Sequence, residues 1–561
     1  MGEKLGMIFD YVIVGGGSAG ATLAVRLSDD PTVSVCLLEA GGEGRDLFVR
    51  TPAGVVAMLP GRPKLNNWAF DTVPQAGLGG RKGYQPRGKG LGGSSAINAM
   101  LYVRGHPSDY DGWAAAGCTG WSYQDVLPWF RKAEGNQRGA SDFHGADGPL
   151  QVADQPSPRG VTRAFIEAAA ECQIPRNDDF NGPRQDGVGL YQVTQFHSGP
   201  RRGERCSAAA AYLHPVMASR TNLTVLTRAH ATRIIVKDGR ATGVAYRRGR
   251  QPAEVQARIE VILSGGAFSS PQLLMLSGIG PAAHLRGMGI PVLHDLPGVG
   301  RDLQDHPDFV LSYRSRITDM FGIGMAGTMN LMRALREWRR QGTGMLTTPF
   351  AEAGAFLKSE PHLDRPDLQL HFVISIVDDH GRKLHRGYGF SCHVCVLRPK
   401  SRGTLELAGP DPMMAPLIDP AFLSDDGDMA LMLRGTRITR RIMEAPALDS
   451  FRDRELYMQG PQSDEELTRH IRARADTIYH PVGTCRMGGD EQAVVTPELK
   501  LRGIDRLRVV DASIMPSLIG GNTNAPTIMI AERAAELIRR DRLSGSGQTT
   551  TTTTVAATAA A

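Results

Sequence analysis

The sequence predicts an α/β protein in which a Rossmann-like, doubly wound domain is joined to a second domain built on a largely antiparallel sheet flanked by helices. Three observations predict this fold. A strand, a glycine-rich turn, a helix and another strand follow one another within residues 9–38. A similar strand and turn recur at residues 260–280, and residues 310–470 alternate short apolar strands with turns that contain Pro and Gly.

The first domain opens with a predicted βαβ unit. Residues 9–14 form a short run rich in β-branched and aromatic side chains, which is typical of a strand. Residues 19–27 have helical spacing, and residues 33–38 are apolar again. Further strands at residues 260–263 and 506–511 are expected to rejoin this sheet.

Gly15, Gly17 and Gly20 lie between the first strand and the helix with G-x-G-x-x-G spacing. In a dinucleotide-binding turn, the first glycine permits the tight turn and the second lets the backbone approach a pyrophosphate, while the third lets the helix pack closely on the strand. The N-terminus of the helix favours the phosphate charge. The spacing therefore predicts a dinucleotide site, with a generic α/β turn as the alternative.

Glu39 ends the second predicted strand, where it is spaced to accept hydrogen bonds from a ribose. Its negative charge would repel a 2′-phosphate, so the sequence favours FAD or NAD over NADP. Near the other end of the chain, Pro526 suits the first turn of a helix that Asn522 or Asn524 can cap. The positive end of that helix dipole suits a reduced flavin, which carries negative charge.

Longer stretches extend this pattern along the chain. They are VIVGGGSAG, GKGLGGSSAINAMLYVRG, GGAFSSPQLLMLSGIG, PGVGRDLQDH, HPVGTCRMG and VVDASIMP followed by GGNTNAPTIMIAE. In this order they resemble the glucose-methanol-choline (GMC) oxidoreductase family of FAD enzymes, above all its choline dehydrogenase-like and alcohol dehydrogenase (acceptor)-like members. The expected domains are an FAD-binding domain at 7–155, 215–310 and 471–540, and a substrate domain at 156–214 and 311–470.

The resemblance implies a set of FAD contacts. They are Gly15, Gly17, Ser18, Ala19, Gly20, Glu39, Ala40, Gly92, Ser94, Asn98, Ala99, Ala231, Asp511, Ala512, Asn522 and Thr523. Small residues in GKGLGGSSAIN let the backbone approach the flavin ring. Some oxidases of the family attach their flavin through a histidine in this loop, but Ile97 occupies the matching position here. We therefore expect non-covalent FAD.

His480, in YHPVGTCRMG, is the candidate catalytic base. A flavin carries out the redox step, so the protein must orient an alcohol and remove its hydroxyl proton while hydride passes to the ring. Histidine is the side chain whose ordinary pKa lies near neutrality, and the resemblance assigns this role to His480. It also implies that Asn522 holds the substrate oxygen, with Asn524 as the alternative partner.

Other roles for His480 are less well supported. One histidine with Cys485 in a turn does not make a zinc site, and a cysteine nucleophile would need a lowered pKa and a carbonyl substrate. Cys392 and Cys395 lie in a predicted strand and should face opposite sides. We therefore predict no metal site. Three other histidines, His106, His306 and His393, are interpreted as structural.

The second domain is expected to determine substrate specificity. Its predicted strands include LQLHFVIS, FSCHVCVLR and GTLELA, and MALMLRGTRITRRIMEA is a predicted outer helix. Resemblance to choline-acting members makes Phe350, Glu352 and Phe356 candidate pocket residues, because a carboxylate suits a cationic head group. A salt-bridged or exposed glutamate is the alternative for Glu352.

A basic helix is predicted at residues 330–341. Leu331, Leu335 and Trp338 lie on one face, and four arginines surround them. Such a helix could contact an anionic membrane and suit electron delivery to a quinone. The alternative is a solvated face whose apolar side packs inward.

Composition excludes several classes of protein. The net charge of +6 is spread along the 561 residues, which argues against a nucleic-acid partner. Seven cysteines are too few for a disulfide framework and fit the cytoplasm, with peripheral contact at the inner membrane face as a further expectation. Residues 544–561 are low in complexity and predicted to be disordered. The oligomeric state is not predicted.

The resulting prediction is an FAD-dependent dehydrogenase that oxidises a small primary alcohol to an aldehyde and passes electrons to a quinone or an artificial acceptor. An alcohol oxidase that uses oxygen and a choline dehydrogenase are the close alternatives. A lyase that keeps the flavin as structure, and a flavoprotein without turnover, are more distant alternatives.

Overall fold

The first sheet contains the predicted βαβ unit. The computed structural model describes residues 7–548, with side chains described except at 325–331 and 545–548. The seven strands of this sheet are β1 (Met7–Val14), β2 (Val35–Leu38), β9 (Leu223–Leu226), β10 (Ala229–Lys237), β11 (Arg240–Arg248), β12 (Gln251–Leu263) and β23 (Leu507–Val509). Their order is β10-β11-β12-β1-β2-β9, and β23 pairs with β12.

The centre of this sheet is parallel, and one edge is antiparallel. β1 pairs in parallel with both β12 and β2, β2 pairs in parallel with β9, and β23 pairs in parallel with β12. The meander β10-β11-β12 supplies the antiparallel part. Helices α1 (Ser18–Leu27) and α12 (Asn524–Gln548) pack against each other in the same core. Parallel strands buried on both faces are nearly all apolar, which is why the sequence pattern identified them.

The second sheet is antiparallel throughout. Its strands are β7 (Gly187–Leu190), β15 (Pro307–Ser315), β16 (Gly322–Ile323), β17 (Ala351–Leu357), β18 (Leu368–Val373), β19 (Gly387–Val396) and β22 (Asp476–Thr477). Their order is β22-β15-β19-β18-β17-β7, with β16 also paired to β19. The helices α6 (Gly160–Glu171), α10 (Asp426–Met443) and α11 (Asp464–Arg474) contribute to its core, where Phe165 stacks on Phe372 at 4.4 Å between ring centroids.

Shorter elements connect and surround the two sheets. The remaining strands are β3 (Phe70–Pro74), β4 (Lys82–Gln85), β5 (Glu134–Asn136), β6 (Leu150–Ala153), β8 (Val193–Thr194), β13 (Ile279–Gly280), β14 (His294–Asp295), β20 (Thr404–Glu406) and β21 (Leu417–Asp419). The remaining helices are α2 (Leu47–Arg50), α3 (Val55–Met58), α4 (Pro107–Ala115), α5 (Tyr123–Ala133), α7 (Gly266–Leu276), α8 (Ala282–Gly287) and α9 (Met325–Gln341). The predicted fold class is confirmed.

Several details differ from the sequence predictions. GTLELA does not join the second sheet: β20 pairs only with β21, and Leu405 belongs to the first core. Within the stretch 156–214 that is predicted for the substrate domain, the first core contains Ala208, Ala209, Ala211, Tyr212 and Leu213. β15 begins at Pro307, before the predicted boundary at 310, and β22 pairs with it from within the stretch 471–540. Short apolar segments do not specify their partners, because several sheets can bury them equally well.

The basic helix α9 has one buried side. Ala334 and Trp338 are buried, and Trp338 Nε1 donates to Gly203 O at 2.9 Å. Leu335 is half-buried, whereas Leu331 falls among the residues whose side chains are not described. The described helices include none that is long and apolar enough to cross a membrane. Helix α12 is described up to Gln548, and the rest of the predicted tail, 549–561, lies outside the described residues.

Candidate active site

A cavity of about 1000 Å³ extends from the glycine turn after β1 to His480, and both sheets contribute to its walls. Fourteen of the sixteen predicted FAD contacts line it: Gly15, Gly17, Ser18, Ala19, Glu39, Ala40, Ser94, Asn98, Ala99, Ala231, Asp511, Ala512, Asn522 and Thr523. Gly20 and Gly92 do not. A cavity of this size lined by a few convergent polar groups is typical of a cofactor site.

The glycine turn is built by close approaches of the backbone. Gly15 has φ +102°, and a Cβ there would lie 2.4 Å from Ser264 O. A Cβ on Gly20 would lie 1.8 Å from Gly15 O, so only glycine lets α1 approach β1 this closely. Gly20 therefore acts through packing, as its spacing predicted.

Gly92, one of the predicted cofactor contacts, lies beside the glycine turn and does not line the cavity. Its N–H donates to Gly16 O at 2.7 Å, and its φ is +93°. The neighbouring Gly93 lines the cavity instead. Gly92 thus holds the GKGLGGSS loop against the glycine turn, and its left-handed backbone favours glycine at this position.

Glu39 is held at the cavity wall by backbone amides. Gly16 N donates to Oε2 at 2.8 Å, and Gly41 N donates to Oε1 at 2.7 Å. Burial raises the pKa of this carboxyl, while these two N–H donors act in the opposite direction. Each oxygen keeps a lone pair that can accept from a sugar hydroxyl.

Asp511 joins the ends of two strands beside the same cavity. Its Oδ2 accepts from Gly266 N at 2.9 Å and from Ser270 Oγ at 2.6 Å, and Oδ1 accepts from Ser513 N at 2.8 Å. Ser264 Oγ, also at the cavity wall, is buried with no partner among the described residues. An unpaired hydroxyl beside a glycine turn fits a ligand that is rich in phosphate and hydroxyl oxygens. These residues fit a dinucleotide such as FAD.

Asn98 is fixed by a residue that the sequence did not single out. Its Oδ1 accepts from Arg205 Nη1 at 2.8 Å and from Met100 N at 3.0 Å. Arg205 is only 1% exposed, and burial lowers its pKa to about 9. No local sequence signal marks Arg205, because the two residues are 107 positions apart.

His480 lines the same cavity, and three of its groups have defined partners. Its backbone N–H donates to Asp305 Oδ1 at 2.9 Å. The Nδ1 atom lies 3.0 Å from His306 Nδ1, and Nε2 lies 3.2 Å from Asn522 Nδ2. His306, which was interpreted as structural, therefore contacts the candidate base directly. Tyr479, with φ +76°, turns the chain immediately before His480.

The two candidate partner asparagines lie in different places. Asn522 Oδ1 accepts from Gln369 Nε2 at 3.0 Å, which leaves its Nδ2 directed at His480. Asn524 Oδ1 instead accepts from Ser18 Oγ at 2.7 Å, at the start of α1. The amide that can share a substrate oxygen with His480 is therefore that of Asn522.

The electrostatic surroundings of His480 keep its ring neutral. Burial lowers the pKa of His480 well below its usual range, and His306, His371 and Arg87 lower it further. His371 also lines the cavity, and neither of its ring nitrogens has a hydrogen-bond partner within the described part of the chain. A neutral imidazole can accept a proton from a hydroxyl group.

The predicted pocket residues of the second domain are only partly placed at the cavity. Phe350 lines it, but Glu352 and Phe356 do not. Glu352 is fully buried and accepts from Thr162 Oγ1 at 2.6 Å, Thr348 Oγ1 at 2.8 Å and Arg159 N at 2.8 Å. Residues in a strand alternate between faces, and the sequence did not reveal which face of β17 meets the cavity.

The two cysteines of β19 face different cores, Cys392 the second sheet's core and Cys395 a smaller cluster. Among the described residues, no group of three or more His, Cys, Asp or Glu side chains could hold a metal ion.

Comparison with known proteins identifies the family. Family models of GMC oxidoreductases match residues 9–308 and 399–531. An alcohol dehydrogenase [acceptor] of Pseudomonas putida is 48% identical over 95% of this chain and 96% of its own length. The mitochondrial choline dehydrogenase of Homo sapiens is 44% identical over 95% of this chain and 90% of its own length. A structure of the FAD-containing formate oxidase of Aspergillus oryzae matches with a TM-score of 0.87 at 26% identity, over 96% of this chain and 99% of that one. The chain belongs to the GMC oxidoreductase family.

Proposed function

We propose that the protein oxidises a primary alcohol to an aldehyde, with FAD as cofactor and His480 as the base that takes the hydroxyl proton. The observation that carries this proposal is the pairing of His480 Nε2 with Asn522 Nδ2, 3.2 Å apart at the wall of the cavity. A hydroxyl oxygen near both atoms would donate its proton to His480 and accept from the Asn522 amide.

Different residues of the cavity would bind the cofactor and the alcohol. The glycine turn, Glu39 and Asp511 would hold the dinucleotide, and Ile97 offers no side chain for covalent attachment. FAD, when bound, supplies the acceptor for the hydrogen and the two electrons of the alcohol carbon. His480 and Asn522 orient the hydroxyl group, remove its proton and hold the oxygen as a carbonyl forms.

The wall beside His480 favours an apolar alcohol over choline. The second-domain residues that line it include Phe350, Val373, Ile376 and Val377. Glu352, the carboxylate expected to meet a cationic head group, makes its hydrogen bonds to Thr162, Thr348 and Arg159 away from the cavity. An alkyl or aryl chain gains from burial against these side chains, and the Glu352 carboxylate is not available there to pair with a quaternary ammonium.

We place the electron acceptor outside the protein, as a quinone or an artificial dye. Similarity to an alcohol dehydrogenase [acceptor] supports an acceptor other than oxygen. Helix α9 supports peripheral contact with an anionic membrane surface, as expected at the inner membrane face, because Met332 is 66% exposed and its neighbours Arg333 and Arg336 are exposed as well. Sedimentation with anionic vesicles at low salt should be lost in an Arg333→Glu/Arg336→Glu variant. Equal sedimentation of that variant, or none by the wild type, contradicts membrane contact.

An anaerobic titration tests the function. Primary alcohols of increasing chain length, and choline, are added to the FAD-loaded protein while the yellow absorbance is followed. Bleaching with aldehyde formation supports the proposal, and the strongest response identifies the substrate class. Cleavage of the alcohol without bleaching supports a lyase, and no response to any alcohol supports a binding protein. Peroxide formed after admission of air distinguishes an oxidase from a dehydrogenase.

A further inference from the structure

The PGVGRDLQDH motif ends in a short segment, residues 304–306, that lies beside the catalytic loop. Gln304 N donates to Val482 O at 3.1 Å, and Val482 N donates back to Gln304 O at 2.9 Å. On the other side, Ile478 N donates to His306 O at 3.2 Å. His480 therefore lies between two points at which the backbone is fixed to residues 304–306, which we call the 304–306 clamp.

Two consecutive side chains of the clamp contact His480 itself. Asp305 Oδ1 accepts from the backbone N–H of His480 at 2.9 Å, and Asp305 Oδ2 accepts from Thr477 Oγ1 at 2.6 Å. The ring of His306 lies at 89° to the ring of His480, with 3.0 Å between the two Nδ1 atoms. The carboxylate thus holds the backbone of His480, whereas a neutral ring faces its imidazole.

The protonation of His306 follows from its other ring nitrogen. His306 Nε2 lies 2.9 Å from Leu397 O, and a carbonyl oxygen can only accept, so Nε2 carries the hydrogen. Complete burial lowers the pKa of His306 to about 3, which leaves the ring neutral with a single N–H. Its Nδ1 therefore has a lone pair, and the hydrogen between the two Nδ1 atoms must belong to His480.

We propose that His306 is a positioning residue that holds His480 in the Nδ1–H tautomer, so that the lone pair of His480 Nε2 faces the substrate. This inference rests on the proposed function of His480 as the base. Gln369 contributes on the other side, because its donation to Asn522 Oδ1 at 3.0 Å turns the Asn522 amide N–H towards that lone pair.

The proton balance of this arrangement is simple. The substrate O–H bond breaks, its proton binds His480 Nε2, and the Nδ1–H of the resulting imidazolium continues to donate to His306. His306 keeps its own hydrogen on Nε2 and stays neutral. A neutral acceptor orients the ring without the strong rise in basicity that a carboxylate partner would cause.

Two amide variants separate the contacts of His306. The shorter side chain of a His306→Asn variant would place its amide oxygen where Nδ1 lies, and so keep the acceptor for His480. The longer side chain of a His306→Gln variant reaches the Nε2 position, and so keeps the donor to Leu397 O while losing that acceptor. Both replacements are neutral amides, and equal FAD content with similar thermal midpoints would show that both fold.

The first readout is the tautomer of His480. We expect ¹⁵N NMR of histidine-labelled protein, with the signal identified by its loss in His480→Gln, to show protonated Nδ1 and unprotonated Nε2. The same pattern should persist in His306→Asn and give way to mixed tautomers in His306→Gln. Protonated Nε2 in the wild type, or an unchanged tautomer in His306→Gln, overturns the proposal.

The second readout is the rate of anaerobic flavin bleaching by the alcohol. A base held in the wrong tautomer loses much of its contribution, so His306→Gln should react about 10²-fold more slowly than the wild type. His306→Asn should stay within about tenfold, the equivalent of one ordinary hydrogen bond. Equal losses in the two variants contradict tautomer control. The NMR result does not depend on turnover, so failure of the proposed function and failure of this inference can be told apart.

Discussion

At the scale of single residues, the site consists of one imidazole whose surroundings suit a base. His480 is 7% exposed, and the groups around it are an imidazole, an amide and a carboxylate that is used on its backbone. A carboxylate on the ring would favour imidazolium, whereas these neighbours leave the ring neutral. These residue types are common in proteins, and the ability of His480 to act as a base depends on how they are arranged around it.

The two asparagines at the start of α12 provide a matched test. Asn522→Ala should lower the rate of flavin bleaching about 10²-fold, because it removes a donor to the developing carbonyl oxygen, and bound FAD should remain. Asn524→Ala removes the partner of Ser18 Oγ, so it should weaken FAD retention more than the rate. Stopped-flow absorbance and FAD content measure both effects, and the reverse assignment would show that Asn524 is the partner.

His371 predicts a pH dependence of stability. Burial lowers the pKa of His371 well below the usual 6.5, and the neighbouring His393 and His306 lower it further. In the unfolded chain, the same side chain takes up a proton near pH 6.5. The folded protein therefore loses stability as pH falls below about 6.5, by up to about 1.4 kcal/mol per pH unit for this group. Above about pH 6.5, His371 is neutral in both the folded and the unfolded chain, so it does not change the pH dependence of stability.

Thermal unfolding between pH 8 and pH 5 checks this sign. His371→Phe should lose less of its thermal midpoint on acidification than the wild type does. The exposed His362, replaced by Asn, serves as the control and should follow the wild type. If the thermal midpoint of His371→Phe falls as steeply on acidification as that of the wild type, His371 is not the buried neutral imidazole that this prediction requires.

Sequence patterns predicted some site residues better than others. His480, Asn522 and Glu39 lie in motifs whose chemistry can be read locally, and all three line the cavity. Glu352 has a suitable charge, but its strand turns it towards Thr162 and Thr348. Arg205 contacts a partner that is 107 positions away in the chain, and no periodicity or spacing in the sequence predicts such a contact.

At the scale of elements, the close contact of α1 with β1 determines the shape of the nucleotide end. Gly20→Ala would place a Cβ 1.8 Å from Gly15 O, so the helix must move. We expect a loss of about 1–3 kcal/mol in the free energy of unfolding and weaker FAD retention. Gly42→Ala is the control, since a Cβ there has no atom within 4 Å. Chemical denaturation and FAD content measure both, and equal behaviour of the two variants would contradict the packing argument.

The elements of the first sheet were more predictable than the attachment of short strands. The strands β1, β2 and β12 are long or continuously apolar, and their burial leaves few alternatives. The strand β20 has only three residues, and it pairs with β21 beside the first core. Pairing of such short strands depends on surfaces formed elsewhere in the chain.

At the scale of the whole molecule, the cavity is made where the two sheets meet. Its residues come from stretches as distant as Gly15 and Thr523, so the cavity exists only once both cores have formed. The motifs in the sequence favour a division into two domains, and that division stays a prediction. Which core a short segment joins is harder to predict, because a stretch such as 208–213 carries apolar side chains that either core could bury.

A cofactor that binds across this cavity should stabilise the folded state. FAD at about 100 times its dissociation constant should add about 2.7 kcal/mol through mass action. The thermal midpoint of protein stripped of FAD should therefore lie below that of the loaded protein and rise with added FAD. Scanning fluorimetry over a range of FAD concentrations measures this shift, and a midpoint insensitive to FAD would contradict the site.

The proposed alcohol oxidation depends most on His480 acting as the base. The most direct measurement is stopped-flow bleaching of the FAD-loaded protein by its best alcohol without oxygen, compared between the wild type and His480→Ala. We predict that the variant keeps its FAD and is reduced about 10² to 10⁴-fold more slowly, the usual contribution of a general base. Equal bleaching rates in the two proteins would contradict the account.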